Sequence, residues 1–293
     1  MTEASSGETD RTGSYSAPHI REHDRKVMKF LRSWPFRRLA IQILIVICFL
    51  AAWEYLPRID FLAENFRVLN PFVISSPSQL IPILRDLVVG GPLALGIELL
   101  PFLQYTVTGT VIGTAIGLLL GLILGVVFSQ SDKLNEVAQP FVVLMNTIPR
   151  VALIPIFIII ARPTLNAEIL SVIGVVGFLA FFNALEGGRS VKQSVLDNAG
   201  LLGASPMDIM LSVRLPVAIE WTFAVLPNAI SFGLVIAVTA ELLAGLRGIG
   251  QLLLISMTNL RADLTFAVIL VLSLLGMILY AAGKVLHRLV VRW

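Results

Sequence analysis

Charge is scarce in this sequence. Asp, Glu, Lys and Arg make up 14% of its 293 residues, against 56% apolar residues, where a soluble globular chain carries about 25% charged residues. That shortage excludes an ordinary water-soluble domain. Cys48 is the single cysteine, which excludes an intrachain disulfide and a cysteine-based metal cluster. The three histidines, His19, His23 and His287, lie in or near the polar ends without ligand spacing, so no metal site is expected. No phosphate-cradling loop is present either. Gly283-Lys284 lacks both the upstream glycine and the following hydroxyl residue that such a loop needs. The chain is therefore not expected to bind or hydrolyse ATP, and no cofactor is expected in it. No Ser/His or paired-carboxylate constellation points to hydrolysis. The net charge is only +3, and the basic residues are not interleaved with aromatics, which excludes nucleic acid as a partner.

Long apolar runs dominate what remains. Mean hydropathy is +0.86, and a bilayer crossing needs about 20 apolar residues. Residues 1–36 are polar and lack an apolar period, as expected of a disordered cytoplasmic tail. Residues 37–69 hold a first span, Leu39 to Trp53, and an outer loop. A leader this long, with bulky Ile47 before Cys48, fits neither a cleaved signal nor a lipoprotein signal. Residues 70–293 form the remaining core. Ser76-Pro77 starts an amphipathic helix along the outer surface. Further spans are read at about Leu100 to Phe128, Ile169 to Phe182 extending toward Ala184, Val217 to Ala240 and Leu264 to Leu286. Between Val137 and Ala161, Pro140, Pro149 and Pro155 predict a short interfacial helix followed by a broken span. Gly245 to Gly250 reads as a glycine-rich outer loop. The fold class is all-α and polytopic, with about six transmembrane helices in the lipid bilayer.

Gly109, Gly113, Gly117, Gly121 and Gly125 recur every fourth residue on one face of the second span. Such a face lets a neighbouring backbone come close, so these residues are assigned to helix packing. Polar residues inside apolar spans are costly and mark cavities or pathways. Asn146, Arg150, Asn228 and Glu241 are the candidates for a translocation pathway. For Arg150 two uses stay open: attraction of an anionic substrate, or anchorage at the cytoplasmic boundary. Basic residues concentrate in the tail, around Arg189, Lys192 and Arg214, and after Lys284, which places both termini in the cytoplasm.

One polar stretch, Asp197 to Pro216, interrupts these runs. Ala199 to Leu202 fits a helical turn and Gly203 a break. Ser205 caps and Pro206 starts a second short helix, which Pro216 is expected to limit. The register of Asp197, Ala199, Gly203, Val213, Leu215 and Pro216 resembles the signature loop of ABC importer permeases, with Asp in place of the usual Glu, Asn198 in place of Ala and Val in place of Ile. Asn70-Pro71-Phe72 through Ser78, and Ile148 to Pro155, are similar to the nitrate, taurine and sulfonate branch.

The resemblance implies a type I importer permease in the bacterial cytoplasmic (inner) membrane. It implies that residues 197–216 are a cytoplasmic coupling loop, with Asp197, Ala199, Gly203, Ala204, Val213, Leu215 and Pro216 seating in a separate ABC ATPase subunit that binds Mg-ATP. A second permease copy and an extracytoplasmic solute-binding protein complete the implied assembly. It would move a small solute, such as nitrate, a sulfonate or a taurine-like compound, by alternating access. The alternatives are an ion-coupled secondary transporter, which predicts inverted repeats and a relay of buried ionisable residues, and a non-transporting scaffold.

Overall fold

A computed structural model describes residues 38–39, 41–59, 61, 65–66 and 73–290. The expected tail, most of the first outer loop and Asn70-Pro71-Phe72 lie outside the described residues. Among the described residues all regular elements are helices: α1 (Ile41–Arg58), α2 (Pro77–Val89), α3 (Leu99–Phe128), α4 (Asp132–Thr147), α5 (Ile154–Ala161), α6 (Leu165–Arg189), α7 (Gln193–Leu201), α8 (Pro206–Ile209), α9 (Leu215–Ala224), α10 (Leu226–Ala244), α11 (Ile249–Thr258) and α12 (Ala262–Val290). Of these, α1, α3, α6, α10 and α12 are long and apolar enough to cross a membrane. The α4–α5 pair, bent by 92°, makes a sixth crossing if counted as one broken span. The bend falls at Ile148-Pro149, where proline disfavours helical geometry in the residue before it.

Two expected elements differ. Val217 to Ala240 is not one helix. It breaks at Val225, and Pro227 lies in the first turn of α10, where its missing N–H costs nothing. The stretch from Ile249 is not an outer loop. Gly248 caps α11, a helix of ten residues.

Lipid gives apolar helices little reason to associate, so close van der Waals packing must hold the bundle together. The glycine face of α3 supplies it. Gly109, Gly113, Gly117, Gly121 and Gly125 are all buried. A β-carbon placed on each in turn would fall 1.9 Å from Glu168 Oε1, 2.6 Å from Val172 Cβ, 3.0 Å from Gly177 N, 2.3 Å from Gly177 O and 2.5 Å from Ala184 Cβ. Thus α3 and α6 run side by side along the glycine stripe. Across this pair lies α10, with Ala229, Ile236, Ala237 and Ala240 packed against Val172, Val175 and Val176. On the far side, α2 places Leu80, Ile83 and Leu87 against Leu264, Val268 and Val271 of α12.

The first span is tied to this body at one end. The carboxylate of Glu54 on α1 accepts from Ser78 N–H at 2.9 Å and from Ser78 Oγ at 2.7 Å, at the N-terminus of α2, where free N–H groups and the helix dipole favour an anion. Trp53 packs near Phe266 of α12, with ring centroids 5.7 Å apart. From Ile41 to Ala52, α1 is exposed within this chain.

Candidate functional site

The 197–216 region is a helical hairpin built by two local devices. The first closes α7. Gly203 adopts φ +83°, its N–H donates to Gly200 O at 3.0 Å, and Ala204 N–H donates to Ala199 O at 3.0 Å. That pairing is a Schellman motif, and it needs the left-handed residue that glycine provides most readily. The second device opens α8. Ser205 Oγ accepts from Asp208 N–H at 3.2 Å, while the Asp208 carboxylate accepts from Ser205 Oγ at 2.6 Å and Ser205 N–H at 2.9 Å. These two bonds, the hydroxyl's above all, hold the Asp208 carboxyl below its ordinary range.

The expected geometry is corrected at both ends. The first helix begins earlier, at Gln193. Pro216 does not limit the second helix. It lies in the first turn of α9, and a π-helical segment, Met210–Arg214, joins α8 to it. The hairpin therefore continues directly into α9, which the break at Val225 separates from the span α10. Leu215 packs toward Val126, Ala184 and Ala218, so movement of the hairpin would reach both α3 and α6.

The Gly203 turn bares apolar side chains. Leu201 is 86% exposed and Leu202 89%, with Met207 exposed nearby on α8. An apolar tip on a polar loop is a mark of a protein contact. Sequence reasoning assigned these three residues no role; their position against the glycine break was the available signal. Ala199 and Ala204 are half-buried, as are Val213, Leu215 and Pro216, whereas Asp197 is exposed and accepts from Gln193 Nε2 at 2.9 Å. Behind the tip, Asp197 and Arg214 line a cavity of about 530 Å³ together with Gln130, Ser131 and Met210.

The pathway candidates do not form one site. The side chain of Asn146 lies outside the described residues. Arg150 begins the 3₁₀ turn Arg150–Leu153, and its guanidinium lies 5.6 Å from the Phe178 ring centroid on α6, within cation–π range. Asn228 is exposed on α10, on the same helix face as exposed Phe232 and Val235. Glu241 is different. It is fully enclosed, and its carboxylate accepts from Thr106 Oγ1 at 2.7 Å and from Gly250 N–H at 2.8 Å. Ile249 N–H in turn donates to Thr106 Oγ1 at 2.9 Å. In this arrangement Glu241 ties α3, α10 and the start of α11 together and is enclosed within this chain.

Similar proteins agree with this architecture. Residues 117–292 match the profile of the binding-protein-dependent transport system inner membrane component family. The taurine transport system permease protein TauC of Escherichia coli is 24% identical over 267 residues, covering 89% of this chain and 92% of TauC. The riboflavin transport system permease protein RibX of Chloroflexus aurantiacus is 27% identical, covering 55% of this chain and 60% of RibX. A probable ABC transporter permease of Haemophilus influenzae is 28% identical, covering 56% of this chain and 67% of that protein. In fold, the chain resembles one from an inward-facing structure of the MetNI methionine ABC transporter, at a TM-score of 0.55 and 20% identity, covering 64% of this chain and 93% of that one. With its helical architecture and a profile match over more than half its length, the chain belongs to the family of inner membrane components of binding-protein-dependent transport systems, the ABC importer permeases.

Proposed function

We propose that this chain works as a pair of identical copies, with two ATPase subunits docked on residues 197–216 and a solute-binding protein on the opposite face. In this reading both termini and the hairpin are cytoplasmic, in accord with the distribution of basic residues. ATP-driven closure of the ATPases moves the hairpins, and each hairpin carries its π segment, α9 and the packed α3–α6 pair. The permease halves thereby alternate between inward-open and outward-open states. The observation that carries the reading is the bared Leu201-Leu202 tip on the turn that resembles the family's coupling loop.

Burying two leucines in a partner groove contributes on the order of 3 kcal/mol or more. Leu201→Ser combined with Leu202→Ser should therefore weaken ATPase docking by roughly 100-fold, while the chain still inserts in the membrane. Co-purification of the ATPase with the double variant, compared with the parent, is the measurement. Undiminished recovery would remove the hairpin from the docking surface.

The solute is proposed to be a small anion or a zwitterion with an anionic group, received near Arg150 at the break between α4 and α5. Its guanidinium has the charge for this task, and its position over Phe178 fixes its direction. Loss of a charge-assisted contact costs about 1.5–3 kcal/mol. Arg150→Gln should then raise the KM for anion uptake by roughly tenfold or more, with the complex recovered in normal yield. Unchanged uptake kinetics in that variant would make Arg150 an anchor instead.

A further inference from the structure

Two acids are enclosed at the end of the bundle opposite the hairpin, and only Glu241 has hydrogen-bond donors. The other is Glu168, in the first turn of α6. It is fully buried, and neither Oε1 nor Oε2 has a hydrogen-bond partner. Gly109 of α3 lies directly against it: a β-carbon there would fall 1.9 Å from Oε1 and 2.3 Å from Cδ. One turn before Gly109, Thr106 donates to Glu241, so both acids abut the same stripe of α3.

Among the described residues, the helices packed around Glu168 supply no counter-charge. In α10 the one charged residue is Glu241, and α5 and α11 have none. Tyr105 is the one titratable residue of α3. Of the basic residues flanking these helices, Arg162 and Arg247 are exposed, Arg261 is paired with Asp263, and Arg150 lies against Phe178. A carboxylate at Glu168 would be an unpaired charge in a low-dielectric interior, beside a second acid, and is strongly disfavoured there. A neutral carboxylic acid escapes most of that penalty and packs against the glycine as an uncharged side chain.

We propose that Glu168 is a proton-binding site within the membrane bundle. Its carboxyl carries a hydrogen while α3 and α6 are in contact, and it exchanges that hydrogen with water when the outer ends of α3, α6 and α10 part. The step is a proton transfer between the carboxyl and water, with no other bond made or broken. It rests on the packing around Gly109 and does not depend on which solute is carried.

Infrared difference spectroscopy of the full-length chain in lipid nanodiscs, parent minus Glu168→Gln, tests this. The carbonyl stretch of a protonated carboxylic acid should be present in the parent at neutral pH and lost in the variant, and in deuterated water its shift in the parent should be slow. A parent spectrum without that band, a band that persists in full in Glu168→Gln, or one removed by Glu241→Gln alone would overturn the assignment. If Glu168→Gln does not assemble, Glu168→Asp retains an acid at the site. Its band should then move from the parent's position, and an unmoved band would count against the proposal.

Discussion

Gly121→Leu is expected to abolish recovery of a stable permease. A β-carbon at position 121 would fall 2.3 Å from Gly177 O, 2.5 Å from Ala180 Cβ and 2.6 Å from Phe181 N. Two of these three neighbours are backbone atoms of α6, so no rotamer change relieves the overlap. The helices must separate, and separation opens the contacts at Gly117 and Gly125 on either side. Overpacking at one site costs about 1–3 kcal/mol. Here the loss spreads along a helix pair that has close packing in place of a hydrophobic driving force, so a total above about 4 kcal/mol is expected, in the range of the most damaging single substitutions. Gly276→Leu is the control, because a β-carbon there has its nearest neighbour, a flexible leucine methyl, at 3.5 Å. Yield of monodisperse protein after detergent extraction measures both. Equal yields for the two variants would show that the α3–α6 contact is not what holds the bundle.

The glycine period that drives this prediction was legible in the sequence because its physical meaning is local: residues four apart share a helix face. Most membrane spans were legible for the same reason, from length and hydropathy, whereas the break at Val225 was not. Features that depend on distant residues were hidden. Glu168 stands shortly after Arg162-Pro163 and looks like an ordinary polar flank of a span. Only the packing of α6 against Gly109 shows that its carboxyl is enclosed. Glu241 stood out as an acid in an apolar helix, but its partners, Thr106 and Gly250, come from two other elements and were not legible. The helix α11 escaped notice because a largely apolar segment of ten residues after a glycine cluster is too short to cross a membrane and carries no decisive period. In the hairpin, the Gly203 break and the Ser205-Pro206 start were readable from residue chemistry. The π segment was not, since a five-residue widening of a helix has no composition of its own.

Substitution of Gly203 is expected to act through the backbone. A β-carbon there meets nothing within 4 Å, so a side chain does not clash with the chain itself. The obstacle is the backbone, held at φ +83° by the two bonds that close α7. A non-glycine residue in a left-handed conformation costs roughly 1–2 kcal/mol, and asparagine tolerates that region better than most. Gly203→Val should therefore unwind the end of α7, turn the Leu201-Leu202 tip away and lower docked ATPase by roughly 5–30-fold. Gly203→Asn should retain most of it. Gly203→Arg adds a long cation beside the exposed leucines, directly on the proposed docking surface, and should lose both docking and solute-stimulated ATP hydrolysis while insertion stays normal. The order expected in the assembled complex is glycine, then asparagine, then valine, with arginine lowest. ATP hydrolysis measured with and without the loaded solute-binding protein would rank the four. An arginine variant with parental stimulation would remove residues 197–216 from the coupling path, because no ATPase groove that receives this tip would accept that cation without loss.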